Sequence, residues 1–227
     1  MNAPASYPRI AHLVGGRGTD DDRVLGPAEL ERILSVPLEV EEKVDGANVM
    51  VWSEDGVLHA SGRAGPGSQD RAGQFGRLRA WVASHPEQLS PLLGPGDVLY
   101  GEWLYLTHTV AYDALPSYFV ALDLRRADGT FLEGPERREG LSRTGLVVPP
   151  LLGVGRFTLD DLEALALRSE WTDGPAEGVV VRPLEPLEPE LRVAKLVRAG
   201  FERLPDDAWR RGRPTNRLAP AARRAAQ

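Results

Sequence analysis

The chain contains no cysteine, and only two of its 27 basic residues are lysine, the other 25 being arginine. The absence of cysteine excludes disulfide bonds and thiolate metal ligands. No apolar run approaches the roughly 20 residues that a membrane-spanning helix needs, and the first twenty residues have no apolar centre of the kind found in secretory signals. We therefore expect a cytoplasmic protein with no membrane partner.

The scarcity of lysine draws attention to the two that remain, Lys43 and Lys195. Arginine can occupy most positions where any positive charge suffices. It cannot act as a deprotonated amine, because the guanidinium keeps its proton up to a pKa above about 12. We therefore look for chemistry first at these two lysines.

Charge is unevenly distributed along the sequence. The net charge of −6 argues against a surface that is positive throughout and built to hold nucleic acid. Residues 209–227 carry six arginines and no acid: Arg210, Arg211, Arg213, Arg217, Arg223 and Arg224. We predict one domain over residues 1–208 followed by a basic tail, which is either solvated and disordered or in contact with a phosphate backbone.

The pattern of apolar residues predicts an α+β fold with antiparallel sheets. Short β-rich segments are joined mostly by turns, with helices inserted between them. Asp55-Gly56 is typical of a hairpin turn. Strands are predicted at 38–52, 57–61, 98–106, 118–124, 178–182 and 191–197, and helices at 26–34, 70–84, 135–143 and 159–168.

Lys43 lies at the end of a predicted strand and is followed by Val44-Asp45-Gly46-Ala47-Asn48. A lysine nucleophile must lose its proton, which desolvation or a neighbouring cation promotes. Glu42 and Asp45 oppose that loss unless a divalent cation offsets them. On these residues alone, a lysine paired with surface carboxylates is the favoured interpretation.

Other charged residues adjoin apolar strands in the same way. Glu102 and Glu177 lie at strand ends, and Lys195 lies inside a strand. Burying such groups is costly unless they bind a partner, and a phosphate would suit the ammonium. Arg63, which follows Ser61-Gly62, is a further candidate for a phosphate or a ribose.

Taken in order, these segments resemble the motifs of the covalent nucleotidyltransferases, the superfamily of ATP-dependent DNA ligases, RNA ligases and mRNA capping enzymes. The similar segments are the nucleophile motif Lys43-Val44-Asp45-Gly46, the serine–arginine element Ser61-Gly62-Arg63, the ribose-binding motif Tyr100-Gly101-Glu102, the base-stacking segment Tyr118 to Asp123, and the last two motifs, Glu177 to Val180 and Val193 to Leu196. Ala47-Asn48 and the segment Tyr7 to Leu13 most resemble RNA ligase 2-type proteins.

The resemblance implies a nucleotidyltransferase fold of two antiparallel sheets flanked by helices, and an ATP-dependent RNA ligase. Lys43 would take AMP from ATP and pass it to a 5′-phosphate end. That end would then be sealed to a 3′-hydroxyl. The implied partner is nucleic acid, as RNA ends or a nicked duplex, with an end-processing or RNA-binding protein as a further partner. Because the chain ends soon after the last motif, we expect a minimal catalytic module.

The resemblance also assigns roles to residues. It implies catalysis by Lys43, Lys195 and Glu177, and a Mg²⁺ or Mn²⁺ ion at Asp45 and Glu177. It implies ATP binding by Glu42 (which would read adenine), Asn48, Arg63, Glu102, Phe119 and Lys195. Two positions depart from the pattern: Leu122 replaces the usual stacking aromatic, so that Phe119 or Tyr118 would stack instead, and Val193 replaces a second lysine.

Four other functions fit parts of the sequence. A capping-type guanylyltransferase would use the same lysine with GTP, and a minimal DNA nick ligase would use it with ATP. A non-catalytic nucleotide- or RNA-binding module would keep the fold without the covalent adenylate. A hydrolase with Glu102 and Glu177 as paired carboxylates is possible on composition, but it leaves both lysines unexplained.

Overall fold

The computed structural model describes residues 4–15, 23–63, 73–202 and 212–225 of the chain. Two sheets form its centre: sheet A has five strands in the order β1-β9-β8-β2-β7, and sheet B has four in the order β4-β3-β5-β6. The strands are β1 (Ala11–His12), β2 (Leu38–Lys43), β3 (Ala47–Glu54), β4 (Val57–Gly62), β5 (Val98–Trp103), β6 (Phe119–Arg125), β7 (Leu151–Gly155), β8 (Gly178–Pro183) and β9 (Ala194–Val197). The helices are α1 (Pro27–Leu34), α2 (Gln74–Ser84), α3 (Pro86–Leu89), α4 (Gly134–Arg143), α5 (Leu159–Leu165) and α6 (Pro220–Ala225), with a 3₁₀ turn at Pro189–Leu191.

The predicted class is confirmed: the fold is α+β, with two sheets flanked by helices. The hairpin turn is confirmed as well, since Asp55 and Gly56 join β3 to β4 with φ of 51° and 77°. Sheet A is not wholly antiparallel, because β1 pairs with β9 in parallel. Strand β7 and helix α6 have no counterpart among the predicted elements, and residues 70–72 of the predicted second helix lie outside the described residues.

The predicted strand 38–52 is divided into two strands of different sheets. β2 ends at Lys43 in sheet A and β3 begins at Ala47 in sheet B. Gly46 lies so close to the strand β5 that a Cβ there would be 2.8 Å from the backbone oxygen of Trp103. The crossing therefore requires glycine at this point, and it places Lys43 where the chain leaves one sheet for the other.

Each sheet packs one face against helices. Leu38 and Val40 of β2 join Ile33 of α1 and Leu162 of α5 in the core of sheet A. On sheet B, a second core includes Val49 and Val51 of β3, Leu78 of α2 and Leu141 of α4. Because side chains alternate along a strand, the remaining residues of β2 and β3 lie on the opposite faces, which we call the inner faces.

An ion network connects the inner faces through α4. Nη2 of Arg137 donates to Glu39 and Glu41 at 2.7 and 2.6 Å, and Nε of Arg182 donates to Glu41 at 3.2 Å. Arg182 also bonds Asp123 of sheet B at 3.0 Å. The side chain of Arg137 has no exposed surface. This network of Glu39, Glu41, Asp123, Arg137 and Arg182 joins sheet A to sheet B.

The N-terminal segment adds a tyrosine to this network. Tyr7 donates a hydrogen bond from its hydroxyl to Asp123. Burial, strengthened by the Asp123 carboxylate, raises the pKa of Tyr7 to about 12. Burial works to raise the pKa of Asp123, but Arg182, Arg192 and Arg137 outweigh it and lower that pKa. The carboxylate of Asp123 therefore stays ionised inside the protein.

Part of the segment that follows the predicted boundary at residue 208 packs against the rest of the chain. Asn216 is 3% exposed and Leu218 is 9% exposed. Thr215 bridges Leu106, and Leu218 bridges Leu115. These contacts make residues 214–219 part of the folded domain, while residues 209–211 and 226–227 of the predicted tail lie outside the described residues. Over the described ranges, no helix is long and apolar enough to cross a membrane.

Candidate active site

Lys43 and Glu177 form an ion pair on the inner face of sheet A. Lys43 is the last residue of β2 and pairs with Gly178 of β8, which directly follows Glu177. Lys43 Nζ donates to Glu177 Oε2 at 2.6 Å, and the two side chains are 22% and 13% exposed. The two residues that the sequence singled out, 134 positions apart, are thus brought together.

The surroundings of Lys43 keep it protonated. Burial acts to lower its pKa, but Glu177, Glu102 and Asp45 act in the other direction and leave the pKa raised. The amine is therefore an ammonium ion at neutral pH. It can become a nucleophile only when the influence of these carboxylates is reduced.

Glu102 of β5 lies beside this pair. Its Oε1 accepts a hydrogen bond from the backbone N–H of Gly46 at 3.1 Å. Burial raises the pKa of Glu102 to about 7, with Lys43 opposing the shift and Glu177 and Asp45 adding to it. Three carboxylates thus surround one ammonium, and the four side chains carry a net charge of −2 when all are ionised. Such a site gains electrostatically from an added cation.

Asp45 uses one carboxylate oxygen to fix a loop. Its Oδ2 accepts from the backbone N–H groups of Thr109 and Val110 at 2.6 and 2.7 Å. Its own N–H donates to the hydroxyl of Tyr112 at 2.9 Å. The structure therefore gives Asp45 a role in holding the loop, which we define as residues 104–118 and call the 104–118 loop.

Glu177 is the carboxylate best placed to hold a metal ion. In the part of the chain that the structure describes, no group of three or more His, Cys, Asp or Glu side chains could enclose a metal by itself. Mg²⁺ commonly takes one or two carboxylates and completes its ligands with water and phosphate oxygens. Glu177, on a site that is negative overall, fits that manner of binding.

Glu42 is not brought to Lys43. Its carboxylate accepts from Ser169 Oγ at 2.7 Å and from the backbone N–H of Glu170 at 3.1 Å. Neighbouring residues of a strand point to opposite faces, so Glu42 lies on the face of β2 that packs on α5. Only 1% of the surface of Glu42 is exposed, and its carboxylate is occupied by Ser169 and Glu170. This position differs from the predicted one, in which Glu42 would read adenine.

Asn48, Glu102 and Arg63 lie in one row across sheet B. Asn48 pairs with Glu102 on β5. On the other side Val49 pairs with Gly62 of β4, so that Arg63 comes next, opposite Asn48. Paired residues share a face, and Arg63 is exposed. The structure therefore brings together three of the predicted nucleotide-binding residues.

Lys195 shares the inner face of sheet A with Lys43. It pairs with Val180 of β8, while its neighbours Ala194 and Leu196 are buried in the core on the other face. Strands β9 and β2 are separated by β8 alone, which corresponds to about 10 Å across two strand spacings. Lys195 is half-buried.

Phe119 is buried in the core of sheet B. It has no exposed surface, and its ring stacks on Trp81 of α2 with centroids 4.8 Å apart. A nucleobase has no access to such a ring, so the prediction that Phe119 stacks on adenine is wrong for this arrangement. Leu122, half-buried among Val44 and Leu104, occupies the inner side instead.

The RNA ligase family model matches residues 36–197, which include the whole series from Lys43 to Lys195. The chain belongs to the RNA ligase family. The match begins just before β2 and ends with β9, so it spans sheet B and all of sheet A except β1 in this RNA ligase family member.

Solved structures of Naegleria gruberi RNA ligase are similar to this family member in fold. A variant of that ligase with AMP and Mn is 18% identical, with a TM-score of 0.52 over 76% of this chain and 52% of that chain. A variant with ATP and Mn is 18% identical, with a TM-score of 0.51 over 86% of this chain and 58% of that one. This chain thus spans between half and two thirds of their length. A search of curated proteins found no match.

Sequence reasoning missed several residues around the site. Arg137, Tyr112 and Asn216 belong to no motif, and their partners lie far away along the chain. One signal was present in β2: Glu39, Glu41 and Lys43 alternate with Leu38 and Val40. That alternation indicates a charged inner face, although it does not identify the arginines that meet it.

Proposed function

We propose that this protein is an ATP-dependent RNA ligase of the RNA ligase 2 type, with Lys43 as the residue that becomes adenylated. The observation that carries the proposal is the position of Lys43: a half-buried amine on the inner face of sheet A, 2.6 Å from Glu177. The family match and the fold shared with a ligase solved with ATP and Mn support it.

In the first step the Lys43 amine, once deprotonated, attacks the α-phosphorus of ATP. A nitrogen–phosphorus bond forms and the bond to pyrophosphate breaks, leaving AMP on Lys43. In the free protein, Glu177 Oε2 accepts the hydrogen bond of the proton that must leave. The step depends on in-line geometry and on charge neutralisation, which the walls of a fixed cleft supply.

In the next two steps the adenylate moves to nucleic acid and is then released. A 5′-phosphate oxygen attacks the phosphorus, the nitrogen–phosphorus bond breaks, and Lys43 regains a proton. A 3′-hydroxyl then attacks the activated 5′-phosphate and displaces AMP. Lys195, on the same face of sheet A as Lys43, would neutralise the charge that develops on the phosphate.

The row of Arg63, Asn48 and Glu102 is suited to the rest of the nucleotide. Glu102 can accept hydrogen bonds from ribose hydroxyls, Asn48 can donate and accept, and the exposed guanidinium of Arg63 can meet a phosphate. In this proposal Leu122 would pack against the base. Glu42 would hold the loop at Ser169, whose hydroxyl donates a hydrogen bond to its carboxylate.

Glu177 would hold a Mg²⁺ or Mn²⁺ ion, with Asp45 contributing through water. The bound ion would neutralise phosphate charge and lower the pKa of Lys43. The charge of −2 that Lys43, Asp45, Glu102 and Glu177 carry when all are ionised agrees with such an ion. The three carboxylates raise the pKa of Lys43 against the effect of burial, and Glu177 and Asp45 add to the effect of burial in raising the pKa of Glu102.

The proposed substrate is RNA, as single-stranded ends or a nicked duplex. Arg217, which is exposed in the C-terminal segment, would contact its phosphate backbone. A partner protein that processes or delivers the ends, and a cytoplasmic location, complete the proposal.

Labelling with nucleotides tests the first step. The purified protein is incubated with Mg²⁺ and each of the four NTPs, and intact mass is measured. We expect one AMP adduct with ATP alone, and none with Lys43→Arg, which keeps a positive charge beside Glu177 but offers no amine. An adduct on Lys43→Arg, or none on the wild type, would refute the assignment. Label from GTP would indicate a guanylyltransferase.

Sealing of nicks tests the substrate. We compare duplexes in which the strand ending in the 3′-hydroxyl is RNA or DNA, keeping all other nucleotides the same. We expect faster sealing with RNA at the 3′ end. Equal or faster sealing of all-DNA nicks would identify a DNA ligase instead, and adenylation without any sealing would limit the proposal to its first step.

A further inference from the structure

The side chain of Asn216 is fully hydrogen-bonded, although no motif contains it. It is 3% exposed. Its Nδ2 donates to the carbonyls of Leu104 and Leu106 at 2.8 and 3.4 Å. Its Oδ1 accepts from Thr107 Oγ1 at 2.9 Å and from the Tyr112 N–H at 3.0 Å. A side-chain amide has two donor hydrogens and two acceptor positions, and all four are used here.

The backbone of the same segment binds the same loop. Asn216 N–H donates to the carbonyl of Tyr105 at 3.0 Å, and Arg217 N–H donates to the carbonyl of Tyr112 at 2.9 Å. The hydroxyl of Tyr118 donates to the carbonyl of Asn216 at 3.1 Å. Asn216 and Arg217 therefore hold residues 104–112 of the 104–118 loop at both ends of that stretch. Asn216 also contacts Tyr118, the last residue before β6.

The other side of this loop holds Asp45. Thr109 and Val110, between the two points fixed by Asn216, donate their N–H groups to Asp45 Oδ2. Tyr112 accepts from Asp45 N–H through its hydroxyl, and its own N–H is bound by Asn216. Tyr112, Val44, Leu104 and Leu218 also share one apolar cluster. A continuous series of contacts thus runs from Asn216 to Asp45, two residues after Lys43.

We propose that Asn216 is a positioning residue. Asn216 fixes the 104–118 loop, the loop fixes Asp45, and Asp45 fixes the backbone that carries Lys43, the residue proposed to attack ATP. This inference rests on the proposed adenylation of Lys43. The step needs the amine in line with the leaving pyrophosphate, and small displacements of a nucleophile cost large factors in rate.

The proposal explains why an asparagine is suited to this position. Aspartate could accept from Thr107 and Tyr112 but could not donate to the two carbonyls. Alanine would leave both carbonyls and the Tyr112 N–H unpaired in a buried place, which loosens the loop. The segment acts on the alignment of Lys43, so the rate at saturating ATP should respond more than the affinity for ATP.

Single-turnover adenylation with Mg²⁺ and ATP tests this on the full chain. For Asn216→Ala we expect the rate at saturating ATP to fall at least about tenfold, with the half-saturating ATP concentration changed less than about threefold. Thr107 supplies a milder pair: Thr107→Val removes the donor and should lower the rate about threefold, whereas Thr107→Ser keeps it and should stay near wild type. Thr215→Ala, at an exposed neighbour, is the matched control.

A double-mutant cycle separates positioning from a general loss of structure. If Asn216 acts through the bonds that Asp45 Oδ2 accepts from the loop, Asn216→Ala should slow an Asp45→Ala protein, which lacks that acceptor, less than it slows the wild type. Equal effects in both backgrounds would overturn the proposal. So would a wild-type rate in a folded Asn216→Ala protein.

Amide hydrogen exchange measures the contacts of the 104–118 loop without depending on adenylation activity. In the wild type the amides of Thr109 and Val110 should be protected by Asp45, and Asn216→Ala should expose them, while Thr215→Ala should not. Unchanged protection in Asn216→Ala would overturn the inference. If instead the wild type takes no adenylate, the proposed function fails, and the exchange result still decides whether Asn216 holds the loop.

Discussion

Replacing Glu102 with glutamine should make the protein more stable at pH 8 and leave its stability nearly unchanged at pH 4. Glu102 is half-buried beside Glu177 and Asp45, and its pKa is raised from 4.5 to about 7, first by burial and then by these two carboxylates. Between these two values the unfolded chain binds fewer protons than the native protein. The free energy of unfolding therefore falls as the pH rises, and the loss is complete above pH 7.

The size of the effect follows from the displaced pKa. One pKa unit corresponds to about 1.4 kcal/mol, so a shift from 4.5 to about 7 corresponds to about 3 kcal/mol. Glutamine has no charge at any of these pH values and can still accept the hydrogen bond from Gly46. The Glu102→Gln variant should thus gain about 3 kcal/mol over wild type at pH 8, or roughly 6–12 °C in Tm for a domain of this size.

Urea unfolding at intervals between pH 4 and pH 8 measures this difference. Glu54→Gln is the control, because Glu54 ends β3 in an exposed position; its difference from wild type should stay within about 0.5 kcal/mol at every pH. Two results would refute this account, in which the native protein disfavours the ionised form of Glu102. One is a Glu102→Gln protein that is no more stable than wild type at pH 8. The other is a gain in stability that is the same at pH 4 as at pH 8.

Four further substitutions test separate parts of the structure. Glu177→Gln removes the main attraction that raises the pKa of Lys43, so in metal-free protein Lys43 should react faster with an amine-directed reagent, measured by peptide mass spectrometry, while adenylation with Mg²⁺ falls. Arg137→Leu leaves Glu39 and Glu41 without their shared guanidinium and should cost about 3–5 kcal/mol in urea unfolding. Gly178→Ala should prevent folding, seen by circular dichroism, because its Cβ would collide with the carbonyl of Leu196; Gly56→Ala, which has open space but positive φ, should cost only about 1 kcal/mol.

The elements of this fold could be predicted where local pattern decides them. The Asp55-Gly56 turn and the strands β5, β6 and β8 depend on turn chemistry and on alternating apolar residues, which short windows of sequence contain. The division of 38–52 into two strands could not be predicted, because it depends on how close Gly46 comes to Trp103, 57 residues later along the chain.

The site was predictable in part for the same reason. Lys43, Glu102 and Glu177 were found because each belongs to a short motif, and the fold places them together. The placing of Glu42 and Phe119 depends on which face of a strand each residue occupies. A motif gives the order of residues but not that face, and both residues point away from Lys43 into packed surroundings.

The network of Glu39, Glu41, Asp123, Arg137 and Arg182 has a consequence for how the proposed nucleotide would enter. It joins the sheets along β2 at Glu39 and Glu41, and Lys43, the last residue of that strand, follows two residues after Glu41. Parting the sheets there would leave ionised groups without partners in a dry interior, which is prohibitively costly. The spacing of the two sheets beside Lys43 is thus set when the chain folds, and in the proposed function we expect the movement that admits or releases the nucleotide in the loops around Lys43.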